Sequence, residues 1–284
     1  MPSPSSPIGV FDSGIGGLSV LRALRDVLPA ERFVYLADSG NAPYGERGDA
    51  FVQERSAHIT QWMREQHDVK ALVIACNTAT AAAIDGLRDT HTGLPIIGVE
   101  PALKPAAQHS RTHTVGVIAT HGTVSSARFA TLQAAHSEHT RFVVQACNGL
   151  ARAIEDSTRP DVPAAQSTAK IRALCVQYTG AMGTFGHNAG EIDTLVLGCT
   201  HYIFAADSLR DVLGPSITLI DTGVPVARRT YSLLHATGML RKVADSVTPA
   251  QFQLYTTGEL VALQHASEQW LGLDSSNCRA TALR

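Results

Sequence analysis

The sequence predicts an α/β protein of two doubly wound, mainly parallel sheets related by a pseudo-two-fold axis. Three observations carry this reading. Short apolar runs alternate with longer helix-patterned stretches almost from end to end. The runs are continuously apolar, as parallel strands buried on both faces are. And two segments recur in the same order. "IGVFDSGIGGLSVL" at Ile8 is echoed by "VGVIATHGTVSSARF" at Val115, and "LVIACNTATAAA" at Leu72 by "LVLGCTHYIFAA" at Leu195. Two echoes in one order point to a tandem of related units with a cleft between them.

The elements follow in turn. "IGVF" is a strand, and "GGLSVLRALRDVL" the helix behind it. "FVYLAD" leads through the loop "SGNAPYGERG" to the helix "DAFVQERSAHITQWMREQ". "ALVIAC" is followed by "TATAAAIDGLRD" and then by the strand "PIIGVE". "TVGVIAT", "FVVQAC", "TLVLGC" and "ITLID" are further strands, each with helical sequence after it. The first unit ends where a strand meets Pro101 and Pro105, and the chain crosses back near Asp221-Thr222-Gly223. The tail, with two helical patterns and the run "FQLYTT", packs back on the first unit. The expected division is therefore residues 1–99 with 223–284, and residues 100–222.

The bulk numbers exclude several roles. A formal charge of −2 over 284 residues gives no field to draw nucleic acid. Basic residues form no extended run with interleaved aromatics, so no nucleic-acid partner is expected. No apolar stretch approaches the ~20 residues that span a bilayer. The amino terminus lacks a basic region and a long apolar segment, so no secretory signal is expected and the cytoplasm is the expected location. There Cys76, Cys147, Cys175, Cys199 and Cys278 are expected as reduced thiols. No C-x-x-C pair occurs.

In open α/β sheets ligands bind beyond the carboxyl ends of the strands. Two cysteines stand there in matching contexts. Cys76 follows "ALVIA" and precedes Asn77 and Thr78 at a helix start. Cys199 follows "TLVLG" and precedes Thr200 and His201. A thiol at a helix amino end feels the positive end of the dipole, which favours thiolate. Cys147, Cys175 and Cys278 lack this context and read as packing residues, Cys278 in a polar tail. Two matched thiols across a cleft suit disulfide exchange, a metal site with His201, or paired proton transfer at one carbon. The turn "FDSGIGG" adds backbone N–H groups of Ser13 to Gly17, which suit a carboxylate, and Asp12, which suits an ammonium or a thiol proton. It lacks the G-x-G-x-x-G spacing and a Walker lysine, so a zwitterion fits better than a phosphate. The loop carrying Tyr44 and Gly45 also sits at a strand's carboxyl end. Glu155, in "GLARAIEDS", has the pattern of a solvated helix residue.

Taken together, "FDSGIGGLSVL", "PYG", "ACNTATA", "IGVEPALKPA" and "LGCTHY" resemble the glutamate racemases of the cofactor-independent aspartate/glutamate racemase superfamily. The resemblance spans nearly the whole chain. It implies an active site between two α/β domains, and interconversion of L- and D-glutamate with no cofactor and no metal. It also implies a role in supplying D-glutamate for peptidoglycan, and a homodimer. By position it makes Cys76 and Cys199 the proton-transfer thiols, with Asp12 serving the first and Glu155 and His201 the second. Asp12, Ser13, Tyr44, Gly45, Asn77, Thr78, Thr200 and His201 fall on substrate-contacting positions, and Thr120 and Thr123 on an added carboxylate clamp. Ile203 departs from the family, where proline commonly follows "CTHY". The alternatives are an aspartate racemase on the same scaffold, a non-catalytic amino-acid binder or redox sensor, and a metal site on Cys199 and His201.

Overall fold

The computed structural model describes residues 2–242 and 251–283. Of the tail assigned to the first unit, residues 243–250 and 284 lie outside the described residues. The chain opens with β1 (Ile8–Asp12), α1 (Leu18–Val27), β2 (Arg32–Ala37), α2 (Asp49–His67), β3 (Ala71–Ile74), α3 (Asn77–Thr90) and β4 (Ile96–Gly98). It continues with α4 (Leu103–His109), β5 (Thr114–Ala119), α5 (His121–Val124), α6 (Ala127–Ala134), β6 (Arg141–Ala146), α7 (Leu150–Asp156), α8 (Ala164–Gly180), β7 (Thr194–Gly198), α9 (Ala206–Leu213) and β8 (Thr218–Ile220). It closes with α10 (Gly223–Ala236), β9 (Gln251–Thr256), α11 (Leu260–Leu271) and β10 (Cys278–Ala280).

Two sheets result, ordered β10-β9-β2-β1-β3-β4 and β6-β5-β7-β8. Every pairing in both is parallel. The order β2-β1-β3-β4 is repeated as β6-β5-β7-β8, so the two halves share one topology. The echoed segments are the central strands, β1 with β5 and β3 with β7. The direction in which successive strands are added reverses between β1 and β3, and between β5 and β7. Those switch points open a crevice at the carboxyl ends.

Burial on both faces explains the continuous apolar runs. Along β1, Ile8 and Val10 join one core layer and Phe11 the other. The same split occurs on β3, with Val73 on one side and Leu72 and Ile74 on the other. α1 turns Leu18, Val20, Leu21 and Leu24 inward and packs on α10, where Val226, Ala227 and Leu234 meet it. Cys278 is a packing residue as expected, buried and 3.3 Å from Ser267 Oγ, but its segment is the strand β10 and not merely a polar tail. The tail looked polar because an edge strand of three residues shows only one inward position.

The halves touch at several points away from the crevice. Phe204, just after β7, stacks on Trp270 of α11 with centroids 3.7 Å apart and planes 9° from parallel. Arg128 of α6 reaches across to Asp85 of α3 at 2.7 Å while also holding Glu100 of its own half at 2.8 Å.

At the amino end of the first sheet, Lys70 and Glu31 form a buried ion pair at 2.6 Å. Lys70 also donates to the Pro4 carbonyl at 2.6 Å, and Glu31 accepts the Arg241 N–H at 2.9 Å. The pair thus joins the starts of β2 and β3 to the amino-terminal segment and to the residues after α10. Glu31→Ala should cost about 3 kcal/mol in urea unfolding, because it strands a buried ammonium. Replacing both partners, Lys70→Met with Glu31→Leu, should recover most of that loss; equal loss in single and double variants would contradict this account.

Candidate active site

The crevice is built from the residues that end the central strands. Asp12 is the last residue of β1, and Cys76 lies two residues past β3. In the second half, Thr120 and Cys199 directly follow β5 and β7. Both thiols are buried, Cys76 at 5% and Cys199 at 8% exposure. Little of either side chain is open to solvent.

Cys76 caps α3, with its sulfur accepting the Ala79 N–H at 3.4 Å and lying 3.8 Å from Ser13 Oγ. The helix end was expected to favour thiolate. The structure overturns that: burial and the adjacent Asp12 carboxylate push the Cys76 thiol well up, and the Ala79 and Ser13 donors do not offset them. Loss of hydration outweighs the hydrogen bond that the helix end offers.

Asp12 has no exposed surface. Its Oδ1 accepts the Ser13 N–H at 2.7 Å and its Oδ2 the Gly17 N–H at 2.5 Å. Thr200, next to Cys199, donates its hydroxyl to the same Oδ2 at 3.2 Å. Asp12 thus lies beside the first thiol and reaches the second half. Burial raises its pKa above the ordinary carboxylate value, despite the pull of His201, Cys76 and Ser13.

The second thiol has a different escort. His201 points Nδ1 at Cys199 Sγ, 3.8 Å away, and Nε2 at Glu155 Oε2, 2.7 Å away. Burial alone would drive the imidazole neutral. Cys199 and Glu155 on its two nitrogens outweigh that and hold it charged. Glu155 corrects the solvated reading. Its side chain is 13% exposed and takes donors from the first half, the Ile15 N–H at 3.0 Å and Ser39 Oγ at 2.6 Å. His201, Ser39 and Ile15 lower its pKa against the upward push of burial. Sulfur, imidazole and carboxylate stand in a row, not around a common centre. Among the described residues no three such side chains gather as metal ligands do.

The glycine turn also departs from expectation. Its N–H groups do hold carboxylates, but these are the chain's own: Ser13 and Gly17 serve Asp12, and Ile15 serves Glu155. Its glycines make room. A Cβ on Gly14 would fall on the Glu155 carboxylate, and one on Gly16 on the His201 ring. Across the crevice, Thr78 and Thr120 share a hydroxyl contact at 2.9 Å, extended to Thr123 at 2.9 Å. A Cβ on Gly45 would lie 2.6 Å from that of Thr120. Tyr44 is buried and donates its hydroxyl to Asp38 at 2.6 Å. Its hydroxyl is thus spent on fixing the loop. Asn77 is buried with neither end of its amide hydrogen-bonded.

Ser39 is the residue that sequence reasoning missed. Its one signal was its place in the loop after β2.

Asp12→Asn should lower the pH at which the Cys76 thiolate absorbance appears in the ultraviolet, because a repelling negative charge is removed. The Cys76 contribution is isolated by subtracting the Cys76→Ser background. An unchanged or raised midpoint would refute the electrostatic role of Asp12.

The chain matches the family model described as Asp/Glu/Hydantoin racemase over residues 8–229. A glutamate racemase of Pseudomonas syringae pv. tomato is 44% identical over 259 residues, 91% of this chain and 88% of its own length. One of Cupriavidus pinatubonensis is 50% identical over 226 residues, 79% and 77% of the two chains. Among solved structures, a glutamate racemase isoform of Bacillus anthracis superposes with a TM-score of 0.82 at 30% identity, covering 98% of each chain. A glutamate racemase of Francisella tularensis, in complex with D-glutamate, gives 0.79 at 27% identity, covering 99% and 98%. The matched span begins with β1 and runs into α10, taking in both thiols and both repeated units, and the chain belongs to the Asp/Glu/Hydantoin racemase family.

Proposed function

We propose that this protein interconverts L- and D-glutamate by proton transfer between Cys76 and Cys199. One observation carries the reading: two thiols at equivalent strand ends of two repeated halves, with Asp12 beside the first and bonded to the neighbour of the second. The relatives support glutamate over aspartate, since those matched at 40–50% identity bear the name glutamate racemase.

The steps follow from this chain's own groups. With the halves parted, a glutamate zwitterion enters. Asn77 has a free donor and a free acceptor, which suit the α-carboxylate and the ammonium. The ammonium also supplies the positive charge that buried Cys76 and Asp12 lack. One thiolate removes the α-proton, and the electron pair of that bond passes into the carboxylate, leaving the carbon planar. The facing thiol donates its proton to the other face. The enzyme is left with its two sulfurs exchanged in protonation. Asp12 accepts or returns a proton at Cys76. His201, backed by Glu155, does so at Cys199 through Nδ1. Such acid–base assistance is worth about 10² to 10⁴ in rate.

The reading includes supply of D-glutamate for peptidoglycan, supported by the family resemblance. It includes the cytoplasm, because the chemistry needs reduced thiols, and Cys76 and Cys199 are both free. It includes a homodimer, by resemblance. It treats residues 1–99 with 223–284 as one moving unit and 100–222 as the other, supported by their separate sheets.

Circular dichroism of L-glutamate, with chelator and no added cofactor, should show racemisation. Cys76→Ser and Cys199→Ser should each lower it by roughly 10³-fold. Either variant at full turnover would overturn the two-thiol reading. Gly16→Ala should lower kcat by about 10²-fold by displacing His201, with the fold retained in far-ultraviolet spectra.

A further inference from the structure

Glu155 is a carboxylate of the second half that takes two of its three hydrogen bonds from the first. His201 of its own half donates at 2.7 Å. The Ile15 N–H donates at 3.0 Å, and Ser39 Oγ at 2.6 Å to the other oxygen. Ser39 is held firmly. It follows Asp38, a buried carboxylate that accepts Arg55 through two nitrogens at 2.8 and 3.0 Å, Tyr44 at 2.6 Å, Asn41 at 3.1 Å and Thr257 at 2.8 Å. Five bonds to one acid fix the loop after β2, and the residue next to that acid, Ser39, is the one that crosses to Glu155.

We propose that Ser39 is a positioning residue for the Cys199 half-reaction, its hydroxyl completing the Glu155–His201 pair only while the two halves are closed. Parting the halves withdraws Ser39 and the Ile15 N–H together and leaves Glu155 with His201 alone. The imidazole is then free to turn away from Cys199. Cys76 depends on closure less: Asp12, Ser13 and the α3 amino end belong to its own half, and parting takes only the Thr200 hydroxyl from Asp12, which keeps the Ser13 and Gly17 amides. Closure therefore readies the second thiol more than the first.

The inference rests on the two-thiol reading, and its test separates the two. The probe is β-chloroglutamate, one enantiomer at a time. A thiolate takes the α-proton, the electron pair forms the Cα–Cβ double bond, and chloride leaves. Each enantiomer needs a single thiol, so Cys76→Ser and Cys199→Ser define which enantiomer reports on which sulfur. Ser39→Ala should slow elimination of the Cys199 enantiomer by about tenfold, the size of one hydrogen bond to a charged group, and leave the other enantiomer near the wild-type rate. Ser39→Thr should restore it. Equal loss on both enantiomers, no loss on either, or no rescue by threonine would overturn the role of Ser39. Cysteine variants that fail to separate the enantiomers would overturn the two-thiol reading itself.

Discussion

A carboxylate taken out of water must be surrounded by donors, and Glu155 finds them on both sides of the crevice. That constraint organises the site. His201 approaches from the same half, and the Ile15 amide and Ser39 hydroxyl from the other. The glycine turn must then come close enough to donate, which leaves no space for side chains at Gly14 and Gly16. The loop after β2 must be stiff, which the bonds to Asp38 provide. Each of these features is local, yet each follows from placing one acid where little solvent reaches it.

The repeat explains why two thiols face each other, and its imperfections explain why they differ. Aligning the echoes sets Cys76 on Cys199, Asn77 on Thr200 and Thr78 on His201. It sets Asp12 on Ala119, so the second half has no acid at the end of its first strand. Glu155, from α7, fills that need by way of the imidazole. One sulfur is escorted directly by a buried acid, the other through a charged ring. The Cys76 thiol is held well above its ordinary value by burial and Asp12.

Much of this was legible in the chain. Continuous apolar runs gave the parallel sheets, because strands covered on both faces have no solvent side. The echoes gave the repeated topology and picked out Cys76 and Cys199 from five cysteines. What stayed hidden were contacts between distant segments. Glu155 meets Ser39 across 116 positions and Ile15 across 140. Helix periodicity reports whether a face is covered by its own unit, and the exposed-looking face of α7 is covered by the other half. Ser39 looked like any loop serine, since its partner lies on a different sheet. The amides of the glycine turn were read as open to a ligand for the same reason.

The Phe204–Trp270 stack has a practical side. The chain has two tryptophans, and the other, Trp62, lies against Tyr255 and His67 on the first sheet's own side. Trp270 alone rests its ring face on a residue of the opposite half, three places beyond the imidazole. Its emission is thus a natural gauge of how far apart the halves stand, readable in the unlabelled protein while glutamate is bound and turned over.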